Sequence, residues 1–210
     1  MLFQPTTFWN LMARRYARSP IKNLEAYQHK LDMTARYLSP QDRLLEFGCG
    51  TGTTALIHAA RVSHIDAIDF SSEMIAIARE KVVEQNVTNV RFEVAELEDW
   101  PIPEDGDGYD AVLAMSILHL VTDLDATLGR VYQALKPGGL LFSSTACIGS
   151  QSALLRSILP PLGAIGILPK ILMLTPDMLT QAMTAQGLTV EHFWQPAKDA
   201  AAFVIARRPE

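Results

Sequence analysis

A glycine-rich loop follows the first apolar run of the chain and limits what can be built around it. The stretch from Glu46 to Thr54 reads EFGCGTGTT, with three alternate glycines directly after Leu44–Leu45. Glycine adopts backbone conformations with positive φ and lets a ligand approach the main chain closely. A strand that ends in such a loop and continues as a helix is typical of nucleotide-binding α/β folds.

Short apolar runs alternate with amphipathic segments after this point. The predicted strands are Leu44–Phe47, Ile65–Ile68, Val90–Val94, Ala111–Met115 and Leu140–Thr145, and the predicted helices between them are Thr53–Arg61, Ser71–Gln85 and Leu124–Leu135. We expect a turn at Pro137–Gly138–Gly139. Strands that alternate with helices pair in parallel, and right-handed crossovers place helices on both faces of the sheet. The pattern predicts a doubly wound, Rossmann-like α/β fold.

The two ends of the chain add different elements. Helices are predicted over residues 7–18, with Thr6 or Thr7 as the N-cap, and over residues 23–38. Near the C-terminus, Thr175–Pro176–Asp177 has the residues of a helix start. The predicted strands 190–194 and 202–206 are too close in sequence for a parallel crossover. We therefore expect a mostly parallel seven-stranded sheet that ends in an antiparallel hairpin.

The spacing of the glycines argues against a dinucleotide. The fingerprint G-x-G-x-x-G accepts Gly48 and Gly50, but its third position falls on Thr53 and the last glycine comes early, at Gly52. No Lys–Ser/Thr pair follows, so a P-loop is excluded. Glu46 directly before the loop has the wrong sign for a pyrophosphate and suits a ligand with positive charge.

Acidic residues lie at the ends of three successive predicted strands. These are Glu46, Asp69 and Glu96. Each acid alone is equally well explained as a solvated loop residue or a helix N-cap. As a set they lie where ligands bind in open α/β sheets, and an acid after the second strand can accept hydrogen bonds from ribose hydroxyls. The set favours a nucleoside that has no phosphates and carries a cationic tail.

Together these segments resemble the class I S-adenosylmethionine-dependent methyltransferases between Leu44 and Thr145. LLEFGCGTG is similar to the glycine-rich first motif of that family, AIDFS to its second motif and VAELED to its adenine-contacting segment. YDAVLAMSILHLV and LKPGGLLFSST are similar to its fourth- and fifth-strand motifs. The resemblance implies S-adenosylmethionine as cofactor and S-adenosylhomocysteine as product.

The resemblance also implies a set of cofactor-binding residues. Glu46 would help to hold the methionine ammonium and Asp69 the ribose, while Phe70 and Met74 would pack on the adenine. Tyr16 is a candidate contact from an N-terminal lid, or packs ordinarily within its helix. The full implied set is Tyr16, Glu46, Phe47, Gly48, Cys49, Gly50, Gly52, Asp69, Phe70, Met74, Ala95, Glu96, Leu97, Met115 and Ser116.

His119 is the candidate catalytic residue. It lies in SILHL just after the predicted fourth strand, where the family's transferred methyl group points. It could act as a general base for an acceptor that keeps its proton at neutral pH, or be a helix-start histidine bonded to backbone. We expect no metal site, because no pair of histidines has ligand spacing and the two cysteines form no CxxC.

The acceptor is predicted from what the chain lacks and from one apolar stretch. A net charge of -5, and MSIL where base-amine methyltransferases carry an Asn/Asp-Pro-Pro-aromatic motif, argue against a nucleic-acid partner. Residues 148–174 carry only Arg156 and Lys170 as charges, and prolines and glycines interrupt any membrane span. This stretch is interpreted as an apolar substrate cap, a dimer interface or a surface in peripheral contact with a membrane. The first interpretation implies a small, fairly apolar acceptor methylated at O, S or N.

The predicted organisation is one methyltransferase domain over residues 1–210. It consists of an N-terminal helical lid (1–40), a cofactor-binding core (41–147), the apolar cap (148–174) and a C-terminal helix and hairpin (175–210). We expect a monomer or homodimer in the reducing cytoplasm, because the N-terminus lacks the order of a secretory signal. Two alternatives stay open: a nicotinamide-dependent oxidoreductase, and a non-catalytic protein that binds S-adenosylmethionine.

Overall fold

The computed structural model describes residues 5–21, 23–102, 107–150, 157, 161, 163 and 168–210. Within these ranges, seven strands form one sheet: β1 Arg43–Phe47, β2 His64–Asp69, β3 Val90–Val94, β4 Tyr109–Met115, β5 Leu135–Thr145, β6 Thr189–Trp194 and β7 Ala202–Arg207. Their order across the sheet is β3-β2-β1-β4-β5-β7-β6. The predicted fold class is confirmed.

The pairing of the strands creates one point where the direction of winding reverses. The first five strands pair in parallel. β7 pairs antiparallel with both β5 and β6, so the predicted hairpin is present and its second strand is the inner one. The chain moves outward from β1 to β3 and then returns to place β4 on the other side of β1. Ligands of such sheets bind beyond the carboxyl ends of the strands at this switch point.

Six helices in the described ranges flank the sheet: α1 Pro5–Arg18, α2 Leu24–Ala35, α3 Thr53–His58, α4 Ser72–Gln85, α5 Leu124–Ala134 and α6 Pro176–Ala185. Four of them begin at an N-cap side chain that accepts a backbone N–H: Asn23, Ser71, Asp123 and Thr175. None of these six helices is long and apolar enough to cross a membrane.

Three details of the sequence-based prediction are wrong. α1 begins at Pro5, and proline is well tolerated at the first position of a helix. Thr6 and Thr7 therefore lie in the first turn instead of capping it. α2 ends three residues before Leu38. The expected turn around Gly138 is an irregular part of β5, where the N–H of Gly138 donates to the Arg208 carbonyl at 2.9 Å and its φ is +77°. The pairing of β4 with β5 shifts its register here, and this shift accommodates the additional residues of β5.

Apolar residues fill both faces of the sheet. One face packs against α5 and α6, with Leu45, Val112 and Leu141 at its centre. The other packs against α3 and α4, with residues such as Leu44 and Phe142 facing them. Side chains alternate between the faces along each strand. The face toward α3 and α4 therefore also presents every second residue out to the carboxyl ends of the strands.

Candidate functional site

Four side chains end the strands on the face toward α3 and α4. Alternation from the buried residues of that face places Asp69 on β2, Glu46 on β1, Met115 on β4 and Ser144 on β5 there. These strands are consecutive neighbours in the sheet. We call these four residues the carboxyl-edge row. It crosses the switch point between β1 and β4.

The glycine loop curls over the end of β1 in a conformation that side chains resist. Gly48, Gly50 and Gly52 have φ of +61°, +53° and +73°. A Cβ atom on Gly48 would lie 2.5 Å from Cγ1 of Ile117, and one on Gly52 would lie 2.4 Å from Cζ of Phe92. Two of the glycines are therefore required for both conformation and space.

Asp69 holds this loop. Its Oδ2 accepts the N–H of Gly50 at 2.9 Å and its Oδ1 accepts the N–H of Ser71 at 2.8 Å. Burial raises the pKa of Asp69, and these two backbone hydrogen bonds oppose the shift. Each carboxylate oxygen has a second lone pair available for a hydroxyl. The residue predicted to contact a ribose thus also shapes the loop beside it, which the sequence did not indicate.

Glu46 is a buried acid without a complete set of partners. Its side chain is 2% exposed, and its Oε2 has no hydrogen-bond partner in the described part of the chain. Burial raises its pKa to about 8, and the nearby Asp69 carboxylate adds to the shift while a hydrogen bond from the Ala55 backbone opposes it. A buried carboxyl in this state is a strong acceptor for a cation. This fits the predicted ammonium partner.

Tyr16 of α1 lies beside the glycine loop, so a lid contact stays a prediction for it. A Cβ on Gly50 would meet its Cε1 at 3.8 Å. Burial raises the pKa of Tyr16, and the carboxylates of Glu46 and Asp69 raise it further. The ring also contacts Trp9 edge-on at 6.2 Å between centroids. Both interpretations of Tyr16, contact with the site and packing within its helix, therefore describe real contacts.

Three further residues of the N-terminal helices reach the site and were missed. The Oδ1 of Asn10 accepts the hydroxyl of Ser71 at 2.6 Å. Burial raises the pKa of Tyr27, a hydrogen bond with Thr54 opposes this shift, and the Glu46 carboxylate adds to it. Lys30 Nζ donates to Ser144 Oγ at 2.9 Å. The spacing of Tyr27 and Lys30 places them on one face of α2. Their residue types alone do not predict which residues more than twenty positions away they contact.

The predicted adenine segment is only partly assembled with the other residues. The N–H of Ala95 donates to the Asp69 carbonyl at 3.2 Å, which places this segment beside the end of β2. Glu96 is exposed, whereas Glu46 and Asp69 are buried and the Asp69 carboxylate affects the pKa of Glu46. Phe70 is half-buried.

Other predicted residues have buried side chains. Those of Phe47 and Leu97 belong to the core on the opposite face of the sheet, so only their backbone can meet a ligand. Met74 is 2% exposed at the start of α4. The Cys49 side chain is also buried, and this burial raises the pKa of its thiol well above the ordinary value. The sequence motif marked the right segment but not the direction of each side chain.

The end of β4 has an unusual backbone. Ser116 has a φ of +62°, which non-glycine residues adopt rarely and mainly at functional sites. Its N–H donates to the Ser144 carbonyl at 2.7 Å. Ser116 is exposed and the neighbouring Met115 is half-buried. The strained Ser116 is thus fixed by a backbone hydrogen bond and exposed at the switch point.

His119 lies just beyond this point. Burial lowers its pKa to about 4, so it is neutral at pH 7. Its Nδ1 is buried and has no hydrogen-bond partner among the described residues. Its carbonyl accepts the N–H of Leu172 at 2.8 Å. The described end of the apolar stretch therefore returns to the loop after β4, while most of residues 148–174 lies outside the described residues.

Metal binding finds no support in the described ranges, where no group of three or more His, Cys, Asp or Glu side chains could hold an ion. The donor set of the site consists of two neighbouring carboxyl groups, backbone amides and hydroxyls. These groups suit hydroxyls and an ammonium.

Comparison with known proteins supports a methyl-transfer fold. A family model described as "Methyltransferase domain" matches residues 44–139. The chain is 37% identical over 105 residues to a malonyl-[acyl-carrier protein] O-methyltransferase of Bacillus cereus, covering 49% of this chain and 37% of that protein. It is 36% identical over 131 residues to a ubiquinone biosynthesis O-methyltransferase of Xanthomonas campestris, covering 61% of this chain and 54% of that protein.

A solved structure extends the likeness to the whole sheet. A geranyl diphosphate C-methyltransferase from Streptomyces coelicolor, crystallised with S-adenosyl-L-homocysteine, superposes with a TM-score of 0.69 at 15% identity. The match covers 86% of this chain and 76% of that one. At this identity the likeness shows the fold alone. The chain spans about half or less of the length of the two curated relatives.

Proposed function

We propose that the chain is a class I S-adenosylmethionine-dependent methyltransferase and that it transfers the methyl group of S-adenosylmethionine to a small, fairly apolar acceptor. The observation that carries the proposal is the buried Glu46 carboxyl beside the glycine loop, with Oε2 unpartnered among the described residues. An ammonium fits this position because it brings the opposite charge, whereas a pyrophosphate would add repulsion. S-adenosylmethionine carries an ammonium at the end of its amino-acid chain.

The residues of the site divide the proposed binding work by strand. Glu46 would hold the ammonium and the backbone of the glycine loop would approach the amino-acid chain. Asp69 would accept the ribose hydroxyls on the lone pairs that Gly50 and Ser71 leave free. Phe70, Met74 and the segment 95–97 would border the adenine. Met115 and Ser116 would border the sulfur.

Positioning is the main chemical task left to the chain. The bound cofactor supplies a methyl group on a positively charged sulfur, which is already activated toward nucleophiles. The protein must align an acceptor in line with that methyl group and exclude water. Tyr16, whose ring lies beside Gly50, would help to cover the glycine loop. The exposed Ser116 at the end of β4, with its positive φ, would border the acceptor.

The proton of the acceptor decides what His119 does. For a phenol, thiol or amine that keeps its proton at pH 7, neutral His119 is the proposed base. For an acceptor that is already ionised, no base is needed and His119 lines the site. The two curated relatives are named as O-methyltransferases, which supports an oxygen acceptor.

The remaining parts are assigned by position. We propose that residues 1–40 act as the lid, because Asn10, Tyr16 and Tyr27 all reach the site. We propose residues 148–174 as the acceptor cap, supported by the bond from Leu172 to the His119 carbonyl. Action in a reducing compartment suits the two buried, unpaired cysteines. A monomer or homodimer stays the prediction for the oligomeric state.

Two alternatives have less support. A nicotinamide-dependent oxidoreductase would place a pyrophosphate beside Glu46 and Asp69, where burial and then the Asp69 carboxylate already raise the pKa of Glu46. A non-catalytic protein would need the same cofactor pocket but no acceptor side. The strained Ser116 at the end of β4 favours an active site, because such strain is retained where it serves a function.

Calorimetric titration separates the first alternative directly. We expect S-adenosylhomocysteine to bind the wild-type chain with a Kd in the micromolar range or below, and NADH not to bind. The variant Glu46→Gln should weaken S-adenosylhomocysteine, while Glu84→Gln, which removes an exposed acid at the far end of α4, should not. Binding of NADH in place of S-adenosylhomocysteine would refute the proposal.

A methyl-transfer screen then tests catalysis. Wild-type protein is incubated with cofactor labelled at the methyl group and with matched phenols, thiols, amines and carboxylic acids. Transfer to any of these supports an enzyme, and the labelled product identifies the atom. Tight cofactor binding without transfer to any class would favour the non-catalytic alternative.

A further inference from the structure

One lysine faces the sheet from the inner side of α2. Its neighbour Leu31 is 5% exposed and Thr34, one turn further on, is fully buried, so this side of the helix packs inward. Lys30 lies on the same side and is half-buried. Lysines in such positions usually extend their ammonium to solvent. This one instead reaches across 114 residues of sequence to Ser144.

The position of this ammonium is fixed from both sides. One turn before it, Tyr27 hydrogen-bonds Thr54 at the start of α3. The preceding residue, His29, stacks on Trp194 of β6 with ring centroids 4.2 Å apart. α2 therefore contacts both the start of α3 and the outer strand β6, and Lys30 lies next to these contacts on the helix. A charge that is held in place before a ligand arrives loses little freedom on binding.

The ammonium has a hydroxyl partner but no charged one. Nζ donates to Ser144 Oγ at 2.9 Å, and no carboxylate of the described residues lies within 4.0 Å of it. Burial lowers the pKa of Lys30. An ammonium has three donors, and a partly desolvated one gains most from an anion. A negative group beside Nζ would give Lys30 the charged partner that it lacks among the described residues.

The location points to the acceptor side of the site. Ser144 is the register partner of Met115, and its carbonyl accepts the N–H of Ser116. β5 lies two strands from β1, which is about 10 Å at the usual strand spacing. The carboxylate of an amino acid sits on the same carbon as its ammonium. A cofactor whose ammonium is at Glu46 would therefore carry its carboxylate close to β1 as well, two strands away from Ser144.

We propose that Lys30, together with Ser144 Oγ, binds a carboxylate of the acceptor at the carboxyl end of β5. This inference rests on the proposed function and narrows its acceptor class to amphipathic acids, with an apolar body and one anionic group. Lys30 is a specificity-determining residue in this scheme: it selects and orients the acceptor, and the methyl transfer itself does not pass through it.

The test uses two matched pairs of probes on protein saturated with S-adenosylhomocysteine: octanoate against octanamide, and 4-phenylbutyrate against 4-phenylbutanamide. We expect wild-type protein to bind at least one acid tenfold or more tightly than its amide. Lys30→Met should reduce that preference to less than twofold, and Lys30→Arg should keep most of it. Lys136→Met serves as the control. It removes another half-buried lysine, which is paired with Asp110 at the amino ends of β5 and β4, far from the proposed site.

The competing source of a carboxylate is the cofactor itself. If Lys30→Met weakens S-adenosylhomocysteine tenfold but leaves 5′-methylthioadenosine, which lacks the amino acid, unchanged, Lys30 serves the cofactor and the proposal is overturned. Equal binding of each acid and its amide by loaded wild-type protein overturns it as well. Failure of the wild type to bind S-adenosylhomocysteine would instead remove the proposed function, and this inference with it.

Discussion

The two halves of the candidate site, on either side of the switch point, are built by different means. On the β1–β2 side, Glu46, the glycine loop and Asp69 come from 24 consecutive positions and hold one another through backbone hydrogen bonds. On the β4–β5 side, Ser116, Ser144, Lys30 and Leu172 come from four separate segments. The first half depends on main-chain geometry. The second depends on how distant helices and loops pack.

This difference explains how one fold can keep a cofactor and change acceptors. A loop with fixed positive φ angles and a buried acid tolerates little change, because each part constrains the next. Side chains brought in from α2 or from the segment before α6 can be replaced one at a time without disturbing that loop. Specificity therefore belongs to the half that has the fewest local constraints.

The largest effect should come from filling the space at the third glycine of the loop. Gly52→Ala combines a left-handed residue with a Cβ placed 2.4 Å from Phe92, and should lower the free energy of unfolding by about 3 kcal/mol. Gly50→Ala is the matched control: its φ is similar, but its Cβ would meet only Tyr16 at 3.8 Å, and it should cost about 1 kcal/mol. Urea unfolding of both variants measures the difference. Equal destabilisation would mean that space at Gly52 is not limiting.

The next largest effect is expected at Asp69, which bonds the glycine loop and is the proposed partner of the ribose. Asp69→Asn cannot accept both the Gly50 and the Ser71 N–H, and it loses charge-assisted bonds to hydroxyls. Affinity for S-adenosylhomocysteine should fall by about a hundredfold, corresponding to about 3 kcal/mol. Asp66→Asn, three residues earlier on the opposite face, should leave the affinity within about twofold, since that carboxylate accepts the hydroxyl of Tyr109. A similar loss in both variants would place the effect in β2 rather than in the site.

Glu46 should make cofactor binding depend on pH. Its pKa of about 8 in the free protein means that it is mostly protonated at pH 7, and an ammonium ligand favours the ionised form. Between pH 6 and 7 the affinity for S-adenosylhomocysteine should therefore rise by about tenfold, with release of about one proton. Calorimetry in buffers of different ionisation enthalpy detects that proton. Glu46→Gln should bind weakly at every pH, and a pH-independent wild type would contradict this role.

The same shift predicts a stability effect of opposite direction. A carboxyl whose pKa is raised on folding stabilises the protein fully below its unfolded pKa of 4.5, and this contribution is lost as pH rises through about 8. Glu46→Gln should thus be more stable than the cofactor-free wild type at pH 9 and no more stable at pH 4. Thermal unfolding at the two pH values checks this. A variant that is less stable at pH 9 would show that Glu46 contributes structurally in its ionised form.

The sequence predicted the β1–β2 half well for a physical reason. Strand ends, glycines with positive φ and an acid after β2 are local features, so EFGCGTGTT and AIDFS indicate the elements of the fold, which is confirmed, and resemble methyltransferase motifs, in agreement with the methyltransferase-domain model that matches residues 44–139. Side-chain direction was less accessible: Phe47 and Leu97 face the opposite core, and Glu96 faces solvent. Lys30 and Tyr27 could not be found, because their partners are set by the packing of α2 across the sheet.

The smallest effect is expected at His119, on the acceptor half. If the acceptor is an ionised acid, no proton has to be removed, and a histidine with a pKa of about 4 is a weak base at pH 7 in any case. His119→Gln should then keep turnover of the best acid from the methyl-transfer screen within about threefold, which is less than 1 kcal/mol in the barrier. Lys30→Arg in the same assay reports on acceptor binding. A fall of about 10²–10⁴-fold in His119→Gln, the range of general base catalysis, would assign His119 the base role and exclude a pre-ionised acceptor.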